Sequence, residues 1–131
     1  MSPTLLGYVL VFFGGGVGAA ARHGMNRLLG STAGGFPIWT FVINVLGCFV
    51  MGALAGLFAH RGEIAGQHLR LFLTTGILGG FTTFSAFSLD AALLWEKHDL
   101  TGFALYVFGT VILCMIGVFA GLFLSRAVFA A

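Results

Sequence analysis

Charged residues are scarce in this sequence: they make up 8% of its 131 positions, whereas hydrophobic residues make up 59%. A water-soluble domain of this size could not cover its surface with so little polar material. The six basic residues are also too few for a nucleic-acid footprint, so we expect no nucleic-acid partner. The composition therefore predicts an integral membrane protein surrounded by a lipid bilayer.

Cysteine is rare as well, and catalytic patterns are missing. The two cysteines, Cys48 and Cys114, fall inside hydrophobic runs, where a thiol is usually a small packing residue and a disulfide framework is not expected. The first residues lack a basic region and a small-residue cleavage site, which argues against a cleaved signal peptide. No nucleophile, acid–base pair or metal-ligand cluster in the sequence indicates an enzyme.

Four long apolar runs account for most of the chain. Each membrane crossing needs about 20 residues, so four crossings use roughly 80 to 90 and leave room only for short loops. We expect a single all-α transmembrane domain over residues 1–131. The predicted helices are Leu5 to about Leu29, Pro37 to Ala59, Leu71 to Trp95 and Gly102 to Leu124, with a loop from His60 to Arg70.

The basic residues fall equally on the two sides that four spans would create. Arg61, Arg70 and Arg126 share one side, and Arg22, Arg27 and Lys97 share the other. Because Lys and Arg are retained on the cytoplasmic side, a tie gives the chain no strong preferred orientation. Both orientations, and hence an antiparallel pair of identical chains, are then allowed, although such a tie also arises by chance.

Glycines spaced four residues apart recur along the predicted helices. They are Gly14 with Gly18, Gly52 with Gly56, and Gly117 with Gly121. Such glycines let a second helix approach closely, so ordinary helix packing explains them. Arg22 continues the first series, and a guanidinium near a membrane span must pair or reach water. It is either an interfacial anchor or a residue that attracts anions into a vestibule.

Several polar side chains lie inside the apolar runs. Asn44 in the second run is costly in lipid unless it bonds another helix or faces a wet cavity. Tyr106, Thr110 and Cys114 recur every four residues and form a polar stripe on the last helix. Donors about 6 Å apart along a helix would suit stepwise transfer of a small anion, and hydrogen bonding between helices is the alternative.

The third run has an unusual centre, Gly79-Gly-Phe-Thr-Thr-Phe-Ser-Ala-Phe-Ser88. Glycine and threonine weaken helix propensity, which predicts a break near Gly79 to Thr83. Unwound backbone at membrane depth offers carbonyls to a cation. Phe84 and Phe87 follow on neighbouring positions of one helix face, and the electropositive edges of their rings can favour an anion. Core packing is the alternative for such a pair.

This third-run motif resembles the signature of the Fluc (CrcB) family of small fluoride channels. The resemblance extends to Gly14-x-x-x-Gly18-x-x-x-Arg22 and to Asn44-x-x-Gly47, and so covers nearly the whole chain. It implies an antiparallel, dual-topology homodimer with two pores in the bacterial cytoplasmic (inner) membrane. That dimer would export toxic cytoplasmic fluoride by passive electrodiffusion.

The resemblance also implies roles for individual residues. The pore residues would be Phe84, Phe87, Asn44, Thr83, Ser85, Ser88, Tyr106, Thr110 and Cys114, with Arg22 at an anion vestibule. A structural sodium ion would lie at the dimer centre, bound by backbone carbonyls of Gly79 and Thr82 from both chains. Cys114 stands where the family often has serine, and a thiol is a weaker donor than a hydroxyl.

Two other functions remain open from the residues alone. A small multidrug transporter would also have four helices, but proton coupling needs a carboxylate deep in the membrane. Of the acidic residues Glu63, Asp90, Glu96 and Asp99, only Asp90 lies within a span, near its end. A membrane assembly factor without transport activity is the second alternative, and it would leave the composition of the third run unexplained.

Overall fold

The computed structural model describes residues 1–29, 35–61 and 66–129, and these ranges are helical apart from short turns. Helix α1 spans Pro3–Leu28 and α2 spans Ile38–Arg61. Residues 67–81 form α3, which is followed by α4, Phe84–Glu96, and α5, Leu100–Phe129. Counting α3 with α4, the described residues contain four helical spans long and apolar enough to cross a membrane. For these described ranges, the prediction of an all-α protein with four helices able to span a membrane is confirmed.

Short polar side chains determine where the helices begin. The Ser2 hydroxyl accepts a hydrogen bond from the Leu5 N–H at 3.2 Å, and Pro3 occupies the first turn of α1. The Asp99 carboxylate accepts from the Gly102 N–H at 2.9 Å at the start of α5. These contacts satisfy N–H groups that have no partner inside a helix.

The predicted loop from His60 to Arg70 is wrong at both ends. His60 and Arg61 belong to the last turn of α2, and α3 already begins at Gln67. Polar residues can continue a helix beyond the hydrocarbon region because its backbone bonds are internal, and basic side chains suit a helix C-terminus. The middle of the predicted loop, including Glu63, lies outside the described residues.

Helix α3 contains a π-helical segment, Phe72–Leu78, that the sequence analysis did not predict. Its wider hydrogen bonding joins the Gly79 N–H to the Thr74 carbonyl five residues earlier. The hydroxyl of Thr74, which lies within this segment, donates to the Arg70 carbonyl at 2.8 Å. Such bonds from a threonine side chain compete with the regular helical pattern, and π-helical turns often occur near functional sites.

Close glycine contacts join the helices in two pairs, α1 with α3 and α2 with α5. A side chain at Gly18 would collide with the Ile77 carbonyl, and one at Gly52 would collide with the Val118 carbonyl. A side chain at Gly121 would likewise collide with the Phe49 carbonyl. The spaced glycines therefore serve helix packing, as predicted.

Candidate functional site

Two residues between α3 and α4, Thr82 and Thr83, have extended backbone conformations. Their φ and ψ angles are −79° and 154° for Thr82, and −152° and 116° for Thr83. Helical bonding continues up to this point, because the Thr82 N–H still donates to the Leu78 carbonyl at 3.0 Å. The Thr82 hydroxyl donates to the same carbonyl at 2.9 Å. The non-helical residues are therefore the two threonines, and Gly79–Phe81 is helical.

The side chain of Asn44 on α2 makes two hydrogen bonds to the backbone of Thr83, one as acceptor and one as donor. Its Oδ1 accepts from the Thr83 N–H at 2.8 Å, and its Nδ2 donates to the Thr83 carbonyl at 3.0 Å. In a continuous α-helix that N–H would donate to the Gly79 carbonyl. One turn further along the same face, Gly47 leaves space for the Thr82 methyl group, with which any larger side chain would collide. The Asn44-x-x-Gly47 motif therefore contacts both threonines: Asn44 bonds the Thr83 backbone, and Gly47 leaves room for the Thr82 side chain.

The side chain of Thr83 starts α4. Its hydroxyl accepts from the Ala86 N–H at 3.2 Å and lies 3.2 Å from the Ser85 hydroxyl. Ser85 and Ser88 are both exposed on the outer surface of α4. Neither serine lines the cavity described next. The Thr83 hydroxyl thus both caps α4 and contacts the Ser85 hydroxyl.

A cavity of about 300 Å³ lies between α2, the Thr82–Thr83 segment, α4 and α5. It brings together seven of the residues predicted from the sequence, including six pore candidates and Thr82 of the predicted sodium site. The full lining comprises Asn44, Cys48, Thr82, Thr83, Phe84, Phe87, Thr110, Val111, Cys114 and Met115. The lining carries polar donors and aromatic rings, and it contains no carboxylate and no cationic side chain.

Thr110 is the most informative residue of this cavity. Its side chain is 5% exposed, and among the described residues its hydroxyl has no hydrogen-bond partner. Burying a hydroxyl without a partner costs about 1–3 kcal/mol, so such a group calls for an explanation. Because Thr110 lines the cavity, a ligand there is the candidate partner for this hydroxyl.

Phe84 and Phe87 lie at the start of α4 and differ sharply in burial. Their ring centroids are 5.4 Å apart with the planes inclined at 46°. Phe84 is 77% exposed, whereas Phe87 is 7% exposed and packs 5.3 Å from the ring of Tyr106. One ring is thus fixed in the core, and the other is free on the open side of the cavity.

Tyr106 does not line the cavity, although Thr110 and Cys114 of the same stripe do. Its side chain is fully buried, with the ring of Phe36 at 5.6 Å. The hydroxyl donates to Asp90 Oδ2 at 3.2 Å, so its proton is already engaged within the protein. The role of Tyr106 in a pore stays a prediction, and its contact with Asp90 is a finding that the sequence did not suggest.

Arg22 and Gly79 lie away from the cavity. The Arg22 Nε donates to the Gly80 carbonyl at 3.3 Å, which ties α1 to the end of α3. This contact accounts for a half-buried guanidinium, and attraction of anions by Arg22 stays a prediction. Gly79 is exposed, on the surface of α3 that no other described helix covers.

Three lining residues, Cys48, Val111 and Met115, were not among the predicted site residues. Cys48 follows Asn44 by one helical turn, and Met115 follows Val111 by one turn, so each pair shares a face. The four-residue spacing between Asn44 and Cys48 could have identified Cys48, because the same spacing separates Thr110 from Cys114. From the sequence alone, the Cys48 thiol is interpreted as a packing residue.

Known proteins match the chain along nearly its entire length. The model of a family described as CrcB-like protein, Camphor Resistance (CrcB), matches residues 9–122. A Fluoride-specific ion channel FluC of Rhodopseudomonas palustris (strain BisB5) is 58% identical over 122 residues, 92% of this chain and 98% of that protein. The protein of the same name from Paracoccus denitrificans (strain Pd 1222) is 50% identical over 94% of this chain and 97% of its own length.

Proposed function

The chain belongs to the CrcB-like protein family, and on this basis we propose that it is a fluoride-selective channel. Relatives that cover almost all of the chain carry the name Fluoride-specific ion channel, which describes a transporter rather than an enzyme. In this proposal fluoride leaves the cytoplasm by passive electrodiffusion across a bacterial inner membrane. The observation that carries it is a cavity lined with neutral donors and two phenyl rings, one of whose lining residues, Thr110, has a buried hydroxyl without a partner among the described residues.

A fluoride ion entering the cavity would exchange part of its water for protein donors. Thr110 offers its free hydroxyl, and the Asn44 amide retains a second N–H beyond the one that Thr83 uses. The Thr83 hydroxyl and the Cys114 thiol add further, weaker donors. Because none of the lining side chains is a cation, the ion is not held by a full charge and can leave again.

The phenyl rings supply the remaining attraction in this proposal. An aromatic ring is electropositive at its edge, so Phe84 and Phe87 can favour an anion without binding it tightly. Phe84 is the more exposed ring and lies on the open side of the cavity, where a second chain would cover it. Ser85 and Ser88 lie on the same outer surface of α4 and would extend the polar path there.

The second chain is a copy of the first in the opposite orientation. The even division of the six basic residues, and the apolar side chains exposed along the helices, support this arrangement. The proposed antiparallel homodimer contains two pores, one associated with each copy of the cavity. Partner residues would complete the wall that Phe84 leaves open.

A structural sodium ion at the dimer centre is part of the proposal, and the residues fit it. The Thr83 N–H that would bond the Gly79 carbonyl in an α-helix is engaged by Asn44, and Thr82 is extended. Gly79 and Thr82 would hold the ion through their carbonyls, and its charge would hold two chains together. Replacing sodium by a large organic cation should lower the melting temperature of the purified dimer, and an unchanged value would contradict the site.

Growth of a bacterium that lacks its own fluoride channel tests the function in cells. Expression of this chain should raise the fluoride concentration that such cells tolerate. The variant Thr110→Val should restore growth less well at equal expression, whereas Ser125→Ala, which also removes a buried hydroxyl without a partner in the described residues, should match the unmodified chain. Failure of the unmodified, membrane-inserted chain to restore growth would contradict the proposal.

A further inference from the structure

Three sulfur atoms line the cavity between α2 and α5. They belong to Cys48 on α2 and to Cys114 and Met115 on α5. The two cysteines line the same cavity from opposite helices, and both are free and partly accessible. In the proposed transfer of fluoride the Cys114 thiol is only a weak donor, and Cys48 and Met115 have no part.

We propose that Cys48, Cys114 and Met115 form a binding site for a soft monovalent metal ion such as Cu⁺ or its redox-inert analogue Ag⁺. Thiolates and thioethers are the ligands that such ions prefer over the oxygen ligands elsewhere in this cavity. On binding, the two thiols lose their protons to water, and each sulfur donates an electron pair to the metal. No change of oxidation state is involved.

A metal ion bound at these three residues would affect fluoride transport because of where the residues lie. Cys48 follows Asn44 by one helical turn, and Cys114 follows Thr110 by one turn, so the sulfur atoms lie beside the two principal donors of the cavity. A metal ion held there would occupy part of the space that fluoride needs. The inference that the ion blocks transport rests on the proposed function, whereas binding of the ion does not.

Retention of silver by the purified, full-length protein tests the site directly. After incubation with Ag⁺ in chloride-free buffer and removal of unbound ion, the unmodified protein should retain one silver ion per chain. The variant carrying both Cys48→Ser and Cys114→Ser should retain none while eluting at the same size. Equal retention by the two proteins would overturn the proposal.

A pair of methionine variants tests the third ligand. Met115→Leu should weaken retention of silver, whereas Met51→Leu, which removes a thioether of α2 outside the cavity lining, should leave it unchanged. Equal effects of the two substitutions would contradict a role for the Met115 thioether.

Transport measurements test where the metal lies. External Ag⁺ should abolish fluoride efflux from vesicles containing the unmodified protein, and an excess of a small thiol should restore it. The double cysteine variant should keep its own metal-free rate when Ag⁺ is added. If the unmodified protein retains silver yet conducts at the same rate, the metal does not lie in the ion path. If it conducts no fluoride even without silver, the proposed function fails, and the retention experiment still decides the sulfur site.

Discussion

The Asn44 side chain and the Thr83 backbone form a two-way hydrogen-bonded pair, with distances of 2.8 Å and 3.0 Å. This contact joins α2 to the segment where helical bonding stops between α3 and α4. It satisfies an N–H and a carbonyl that would otherwise be unpaired inside the protein. The pairing uses one of the two amide hydrogens of Asn44 and leaves the second outside this contact.

Replacing Asn44 by alanine should destabilise the protein and reduce transport together. The substitution leaves both Thr83 backbone groups unpaired, and each such group costs about 1–3 kcal/mol. The matched control is Asn26→Ala on α1, where the asparagine is exposed. Thermal unfolding of the two variants in detergent measures the difference. A melting temperature for Asn44→Ala equal to that of the control would show that the pair does not support the fold.

Replacing Thr110 by valine should reduce fluoride transport without reducing the stability of the protein. Valine has a similar shape and removes a buried hydroxyl without a partner in the described residues, so the free energy of unfolding should stay equal or rise by about 1–3 kcal/mol. Fluoride flux should nevertheless fall, because a donor of the cavity is lost. Ser125→Ala removes the other such hydroxyl, away from the cavity, and should leave flux unchanged. Equal fluxes in the two variants would show that Thr110 does not contact the ion.

Replacing Phe84 or Phe87 by isoleucine should reduce fluoride flux while the dimer still assembles. Isoleucine keeps much of the apolar bulk but lacks the aromatic quadrupole. Phe87→Ile should also cost about 1–3 kcal/mol of stability because Phe87 is buried, whereas Phe84→Ile should not. Phe12→Ile is the control, since Phe12 is 75% exposed on α1 and outside the cavity. Flux at the control level in both ring variants would identify the rings as packing residues.

Reporter fusions at the C-terminus should detect the chain in both orientations. The basic residues are divided three against three, so neither orientation is favoured. Adding two lysines beside Arg126 should place that end in the cytoplasm and leave the opposite population depleted. A single orientation of the unmodified chain would contradict an antiparallel pair of identical chains.

The sequence predicted the helices well because a bilayer demands long apolar runs, and it located most of the cavity because polar residues inside such runs are few. It placed the ends of helices poorly, since His60 and Arg61 are polar yet helical. The π-helix in α3 was not predictable from propensity, because it depends on the carbonyls that neighbouring bonds leave available. Nor could spacing show that the Tyr106 hydroxyl bonds Asp90 rather than facing the cavity. The contact between Tyr106 and Asp90 depends on how α4 and α5 pack against each other.

Fluoride and chloride efflux from the same vesicles tests the central claim most directly. Vesicles containing the purified protein are loaded with potassium salts of both anions, and efflux starts when a potassium ionophore removes the opposing voltage. Ion-selective electrodes then follow each anion. The proposal predicts rapid loss of fluoride with chloride retained, and without any imposed proton gradient. Equal loss of the two anions, or fluoride loss that requires a proton gradient, would contradict a passive fluoride-selective channel.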